Sequence, residues 1–333
     1  MTASTVFRTN GQRQRGAALL AAMLTVMLVA TFSAAALWQQ WRASEVEAAE
    51  RGRVQAAWVL IGALDWSRLI LREDALTGGP DHLAEPWAVP LAEARLTSFL
   101  SAEKNVASDN LEGLPDAFLS GRVVDAQSKL NVLSLVDGNK PVPASIATFT
   151  KLFNILGLPA SELSAMTASL LRALATGTDA AGGGDAGAAP LMPQEVSQLV
   201  WLGLSPATVA ALEPYVTILP IRTPLNINTA SAEAISASLP SLSISDARQL
   251  VEKRTRSFFK QIADANAALP SGGTQFNANQ HSVGTQFFEV YGRLRLDRTW
   301  VEERSLLQRD GVTVKTIWRN RGAGLATATP AKP

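Results

Sequence analysis

RQRGAALLAAMLTV, residues 13–26, decides how the chain is read. Arg8, Arg13 and Arg15 stand before its apolar part, and no further charge follows until Arg42. The uncharged run Ala17 to Leu37 holds about 21 residues and would rise about 30 Å as a helix, the thickness of a bilayer core. It is longer than the roughly 7–15 apolar residues of a secretory signal, although Ala34, Ala35 and Ala36 offer a small-residue site for a signal-type cut. The cations precede the run, and Glu45, Glu47 and Glu50 follow it. The positive-inside rule then predicts a single-pass membrane segment, with the first fifteen residues in the cytoplasm and the rest of the chain outside.

The helical pattern continues beyond that run. No proline occurs from Trp38 to Leu71. Val46, Ala49, Val54, Ala57, Trp58, Ile61, Leu64 and Leu69 recur at steps of three and four, the spacing of one helix face. One helix of about 55 residues is predicted from Ala17 to Leu71, apolar all round in its first half and amphipathic in its second. Gly52 and Gly62 weaken it slightly. Trp58 and Ile61 are the candidates for contact with a partner helix, or with the chain's own sheet.

Composition narrows the function classes. The net charge of +1 creates no global field toward nucleic acid or anionic lipid. A hydrophobic fraction of 47% is ordinary for a globular protein, so the membrane content is one segment. Cysteine is absent, which excludes disulfides, thiolate metal sites and a cysteine nucleophile. The two histidines, His82 and His281, sit in no metal or catalytic motif. No phosphate loop, zinc helix or nucleophile elbow appears, and Asp65, the most suggestive isolated acid, reads as a helix-surface charge. The chain is not expected to be an enzyme.

The remainder alternates between sheet and helix signals. Residues 77–91, rich in glycine and proline, form a loop. Phe118 to Val124 and Lys129 to Leu133 read as strands joined by a turn at Asp125 to Ser128. Helices follow at Ala144 to Leu156, at Ser161 to Ala175 with Ser161 as N-cap, at Pro193 to Leu199, and at Pro206 to Leu212. Thr229 or Ser231 caps a helix reaching Ser238, Ser243 or Ser245 starts another reaching Lys253, and Ser257 to Leu269 adds one more. The last part alternates as antiparallel strands: Phe288, Val290, Leu294 and Leu296, then Thr299 to Leu307, then Val312, Val314, Thr316 and Trp318, with a turn at Arg309-Asp310-Gly311. The expected class is α+β: a long N-terminal helix on an antiparallel sheet, with a large all-helical insertion containing a helix-hairpin-helix-like unit.

A basic leader ending in glycine, followed by an apolar helix that runs on into the folded part, resembles the type IV pilin-like family. The helical insertion narrows the resemblance to the large minor pseudopilins, the protein K family of type II secretion systems. RGAALLAAMLTV, EPWAVPL, GRVVDAQSKLNVLSL, YVTILP with LNINTA, and VGTQFFEVYGRLR carry the likeness in order along most of the chain. The resemblance implies a prepilin peptidase cut after Gly16, with Ala17 as the mature N-terminus. Most of the family has Phe at that first position and Glu at the fifth; here Ala17 and Ala21 stand instead. An ionised side chain inside the membrane costs on the order of 2.5–3.5 kcal/mol on insertion scales. A subunit at a filament tip has no neighbour above it whose amine would offset that cost, so an apolar Ala21 suits a tip subunit. The implied partners are other minor pseudopilins, the major pseudopilin, the peptidase and the inner membrane.

The resemblance also implies calcium in an acidic loop of the insertion, where this chain offers only Asp179 and Asp185. Calcium takes six to eight oxygens, so no cofactor is expected beyond that candidate ion. The competing reading is a membrane-anchored helix-hairpin-helix DNA-binding protein, drawn from residues 225–250 and the cations Lys253, Arg254, Arg256 and Lys260. Its turn, Pro240 to Ser245, lacks the glycines that bring backbone amides to a phosphate, so no nucleic acid is expected. The expected organisation is a leader over 1–16, a membrane half-helix over 17–37, a first pilin-like part over 38–140, the helical insertion over 141–269, a second pilin-like part over 270–321, and a disordered tail over 322–333.

Overall fold

The computed structural model describes residues 12–97, 117–178, 189–296 and 299–323. Helix α1 covers Gln12–Thr77, 66 residues. It runs past the expected Leu71 because Arg72 to Thr77 contains neither glycine nor proline. Gly78 ends it with a left-handed φ of 69°, and its N–H donates to the Asp74 carbonyl at 3.0 Å, a glycine stop of the usual kind.

The chain divides into two compact units, Met1–Trp58 and Val59–Pro333. In the first, the helical residues 16–51 are exposed throughout. Thr25, Thr31 and Ser44 donate their hydroxyls to the carbonyls of Ala22, Leu28 and Trp41, so these polar groups are satisfied inside the helix.

In the second unit the remaining turns of α1 bury Leu60, Leu64, Ser67 and Leu71. Steps of four and three put these on one face. They lie on a five-stranded antiparallel sheet of order β1-β2-β9-β10-β11. Its strands are β1 (Leu91–Arg95), β2 (Ala117–Asp125), β9 (Phe287–Leu296), β10 (Thr299–Asp310) and β11 (Thr313–Ala323). Leu64, Leu71, Trp87, Phe288, Val290, Leu307 and Val314 form the core between helix and sheet. Gly121 and Gly292 face each other across β2 and β9. A side chain at Gly121 would meet the Tyr291 carbonyl oxygen at 2.8 Å, and one at Gly292 would meet Leu60 at 3.1 Å.

The opposite face of the sheet receives the helical part. Phe287 and Leu306, with Trp318 against them, pack on Ala126 and Leu219. That part comprises β3 (Leu130–Asn131), β4 (Val136–Asp137), β5 (Lys140–Pro141), α2 (Pro143–Leu156), α3 (Ala160–Thr178), a 3₁₀ turn Val196–Leu202, α4 (Pro206–Leu212), β6 (Val216–Thr217), β7 (Leu225–Asn226), α5 (Ala232–Ser238), α6 (Ile244–Arg256), α7 (Ile262–Asn266) and β8 (His281–Ser282). Its core starts at Leu130 and reaches Phe276, wider than the expected 141–269.

Several local expectations change. β2 and β3 do not form a hairpin. The Asp125 carboxylate accepts from the Gln127 N–H and caps a 3₁₀ turn, the chain leaves the sheet, and β3 pairs in parallel with β6. β1, an exposed edge strand with little strand character, gave no signal in sequence. Ser161 is not a cap, because α3 begins one residue earlier. Ser231 and Ser243 do cap α5 and α6, accepting from Ala234 and Asp246. The expected helix Ser257 to Leu269 shrinks to α7. In β11 a bulge opposite Leu306/Leu307 breaks the alternation, so Val314 faces α1 while Trp318 packs on the other side. The strand runs to Ala323, into the expected tail, whose remainder lies outside the described residues.

Substituting Gly121→Val should lower unfolding stability by about 1–3 kcal/mol, the usual cost of overpacking, because backbone, not a flexible side chain, meets the added carbon. Chemical denaturation of the full chain reads this directly; an unchanged midpoint would contradict the close β2/β9 approach. His281, 1% exposed in β8, is held neutral by burial, its pKa lowered to about 4. The unfolded chain binds its proton near pH 6.5, the folded one only near 4. This group's contribution is therefore complete above about 6.5 and is lost as pH falls toward 4, by up to about 3 kcal/mol. An imidazole NMR titration with its midpoint near 6.5 would refute the assignment.

Candidate functional site

Two regions of the chain carry features beyond core packing. The first is the start of α1. Gly16, Ala17 and Ala21 lie in this helix and are exposed, as are Leu19, Leu20, Met23 and Leu24 beside them. The helix from Gly16 is long and apolar enough to cross a membrane, with a mean hydropathy of 2.2 in its best stretch. Farther along, Trp58 is 68% exposed, whereas Ile61 is half-buried. Trp58 thus keeps its ring available to a partner. Asp65 pairs with Arg68 on the helix surface, as a surface charge should.

The second region is a polar junction between the sheet and the helical part. LNINTA, residues 225–230, is buried at every position. The Asn226 amide donates to Asp125 Oδ2 at 2.8 Å and to the Asp81 carbonyl at 3.2 Å. Thr229 donates its hydroxyl to the same Asp125 oxygen at 2.5 Å. Asn228 exchanges two hydrogen bonds with the backbone of Phe259. Gln127 accepts from the Gln286 N–H and donates to the Pro224 carbonyl. Burial pushes the Asp125 carboxyl up to about 6, against hydrogen bonds from Thr229, Gln127 and Asn226 that favour the charged form. LNINTA therefore works as a clip between domains. Sequence reasoning assigned the stretch to a hairpin unit; the alternation of two Asn with buried Leu and Ile was the signal for internal hydrogen bonding.

Beside the clip, the carboxylates of Asp74, Asp81 and Glu85 lie within 4.8 Å of one another. They gather round Arg309 of β10, whose guanidinium donates to both Asp74 and Asp81 and to the Thr285 carbonyl. Asp81 also accepts from the Thr285 N–H at 2.7 Å. Glu85 accepts from the His82 N–H at 2.9 Å and from the Trp87 indole at 2.7 Å. Burial, reinforced by the neighbouring Asp74 and Asp81 carboxylates, pushes Glu85 up to about 7. Burial likewise raises Asp81, although Arg309 opposes it. The His82 ring stacks on Phe258 of the helical part at 3.8 Å. Nothing in the sequence brings residues 74, 81, 85, 125, 226 and 309 together; the fold does.

The remaining candidates separate from these. Asp179 and Asp185 lie outside the described residues. Of the basic cluster, Arg254 is turned inward, 8% exposed, and donates to the Ile227 carbonyl at 2.6 Å. Lys151 donates to the carbonyls of Leu239 and Leu242, fixing the turn between α5 and α6 from inside. Asp246 in the first turn of α6 places a carboxylate where a phosphate would have to approach. These features oppose a phosphate-binding hairpin.

Comparison with known proteins agrees with this architecture. Two family models, both described as type II secretion system protein K, match residues 128–221 and 225–284. Type II secretion system protein K of Pseudomonas aeruginosa is 28% identical, over 93% of this chain and 94% of that protein. The Klebsiella pneumoniae protein of the same name is 27% identical, over 93% and 97%. A chain in the crystal structure of the GspK-GspI-GspJ complex from enterotoxigenic Escherichia coli superposes with a TM-score of 0.60 at 20% identity. It covers 82% of this chain and 98% of that one, which establishes a shared fold. Buried LNINTA and the helical part around it fall inside the matched segments, and over them the chain is similar to the type II secretion system protein K family.

Proposed function

We propose that this chain is the minor pseudopilin that caps the tip of a periplasmic pseudopilus and nucleates its assembly for protein export across the outer membrane. The observation that carries the reading is α1: charge-free from Gly16 to Trp41, continuous to Thr77, and apolar at Ala21. A subunit with another above it gains from a carboxylate at that position, since the neighbour's terminal amine pairs with it. A tip subunit has no such partner and would carry the full cost of a buried charge. Cytoplasmic Arg8, Arg13 and Arg15 orient the segment. Prepilin peptidase cuts after Gly16, and the mature chain begins at Ala17.

Its partners are other minor pseudopilins, with the major pseudopilin below them. Support comes from the likeness to a chain of a complex that contains GspK, GspI and GspJ. Head-to-tail contacts of this kind are heterologous and build filaments. A large helical insertion above the sheet ends growth by offering no complementary surface. The role is assembly, with no chemistry assigned to any residue. Calcium at Asp179 and Asp185 remains part of the proposal only as a candidate ion site, to be read by calorimetric titration of the full chain with calcium.

Replacing Gly16→Leu should leave a precursor that retains residues 1–16, because the added side chain obstructs the peptidase. Intact mass and N-terminal sequencing of the membrane fraction decide it; normal processing would remove the pseudopilin reading. Replacing Trp58→Ala should weaken co-purification with the other minor pseudopilins by about tenfold or more, as loss of an aromatic anchor does. The unfolding midpoint should not move, since the ring is 68% exposed. Undiminished complex formation would show that this face of α1 is not the partner face.

A further inference from the structure

The junction of the sheet and the helical part has more acid than base. Asp74, at the end of α1, and Asp81 and Glu85, in the loop after it, bring three carboxylates within 4.8 Å of one another. Of the elements packed round them, β10 supplies Arg309, and the segment before β9 supplies Thr285 and Gln286, which carry no charge. His82 lies on the same loop, and Asp125, at the end of β2, shares the Asn226 amide with the Asp81 carbonyl. One guanidinium thus faces three carboxylates, and the Asp74 and Asp81 side chains are only 12% and 5% exposed. Like charges this close cannot all ionise without a large penalty.

The cluster also sits where the two parts of the fold are joined. The Asp81 carbonyl accepts from Asn226, and His82 stacks on Phe258, both in the helical part. Glu85 holds the Trp87 indole, and Trp87 packs edge-on against Phe288 of the sheet. The loop that carries the three contacts begins with Gly78 and Gly79, both at a positive φ that other residues rarely adopt.

We propose that this junction is a proton-dependent latch: a proton kept on Glu85, crowded by Asp74 and Asp81, holds the loop, and through it the helical part, against the sheet, and its loss loosens the contact. The sign follows from the balance of charge. Glu85 retains its proton in the fold up to about pH 7, whereas the unfolded chain loses it near 4.5. The stabilisation is therefore complete below about 4.5 and lost as pH rises through about 7. Asp125, raised to about 6, acts in the same direction.

The test is backbone hydrogen exchange of the full chain in detergent micelles, at about pH 5.5 and about pH 8, corrected for intrinsic exchange chemistry. Residues 81–88 and 225–230 should lose protection about tenfold or more between the two, while Phe149 to Phe153 in α2 stay unchanged. In Glu85→Gln, which stays neutral and keeps an acceptor for the His82 and Trp87 donors, protection should be nearly equal at both pH values. An equal loss in wild type and variant, no loss in wild type, or a parallel loss throughout the helical part would overturn the latch. Carboxyl ¹³C titration of the wild-type chain decides the matter without the variant: a Glu85 midpoint near neutrality supports it, and one in the ordinary glutamate range refutes it.

Discussion

The Asp125 carboxylate is the point on which the arrangement of the two parts of the fold depends. It is fully enclosed, and its hydrogen-bond donors are neutral: Gln127 N–H, the Asn226 amide and the Thr229 hydroxyl. A buried carboxylate without a cation is expensive unless its lone pairs are filled by fixed donors. The donors filling them come from two separate stretches, the turn after β2 and LNINTA, so the site is satisfied only when β2, that turn and β7 are in register. Asn226 then passes the constraint to Asp81, and Asp81 to Arg309 and Thr285. Hydrophobic burial explains why the helical part has a core. Burial of Ala126, Leu219, Phe287 and Leu306 is non-directional and by itself favours contact more than one particular position. Directional hydrogen bonds to one buried charge can specify the position.

What the sequence disclosed follows the same division. Features set by local chemistry were legible: the apolar run after Gly16, the caps Ser231 and Ser243, the alternation of Phe288, Val290 and Leu294, and the Gly311 turn. These depend on near neighbours, and periodicity reports them. Features set by distant partners were not. β3 looked like the second strand of a hairpin because its apolar alternation is the same whether it pairs with β2 or, as it does, with β6. Trp318 looked like a neighbour of Val314 on one face because a single bulge reverses the side on which every later residue points. Of the candidate sites, Gly16, Ala17 and Ala21 rest on local sequence alone, the apolar run and the cations before it, and the structure adds that they lie in α1. The junction was invisible because its acids are spread from residue 74 to residue 125 and its cation lies at 309.

Helix α1 shows how one element meets different physical demands along its length. From Gly16 to Trp41 it needs only apolar side chains all round, and its few hydroxyls bond to their own helix. From Leu60 it needs a single buried stripe, and Gly292 in the sheet leaves room for Leu60 on that stripe. Between the two lie the pairs Glu47–Arg51 and Glu50–Arg53, each at 2.8 Å and well exposed. Such pairs add only a few tenths of a kcal/mol to a helix each, so they do not by themselves hold that stretch. The same stretch leaves Val46, Val54 and Trp58 exposed, so the apolar stripe read from the sequence there is not buried in this chain. The charge-free segment and the last turns thus meet different demands. The first carries no charge and is long and apolar enough to cross a membrane, and the last turns of the helix supply the stripe that packs on the sheet.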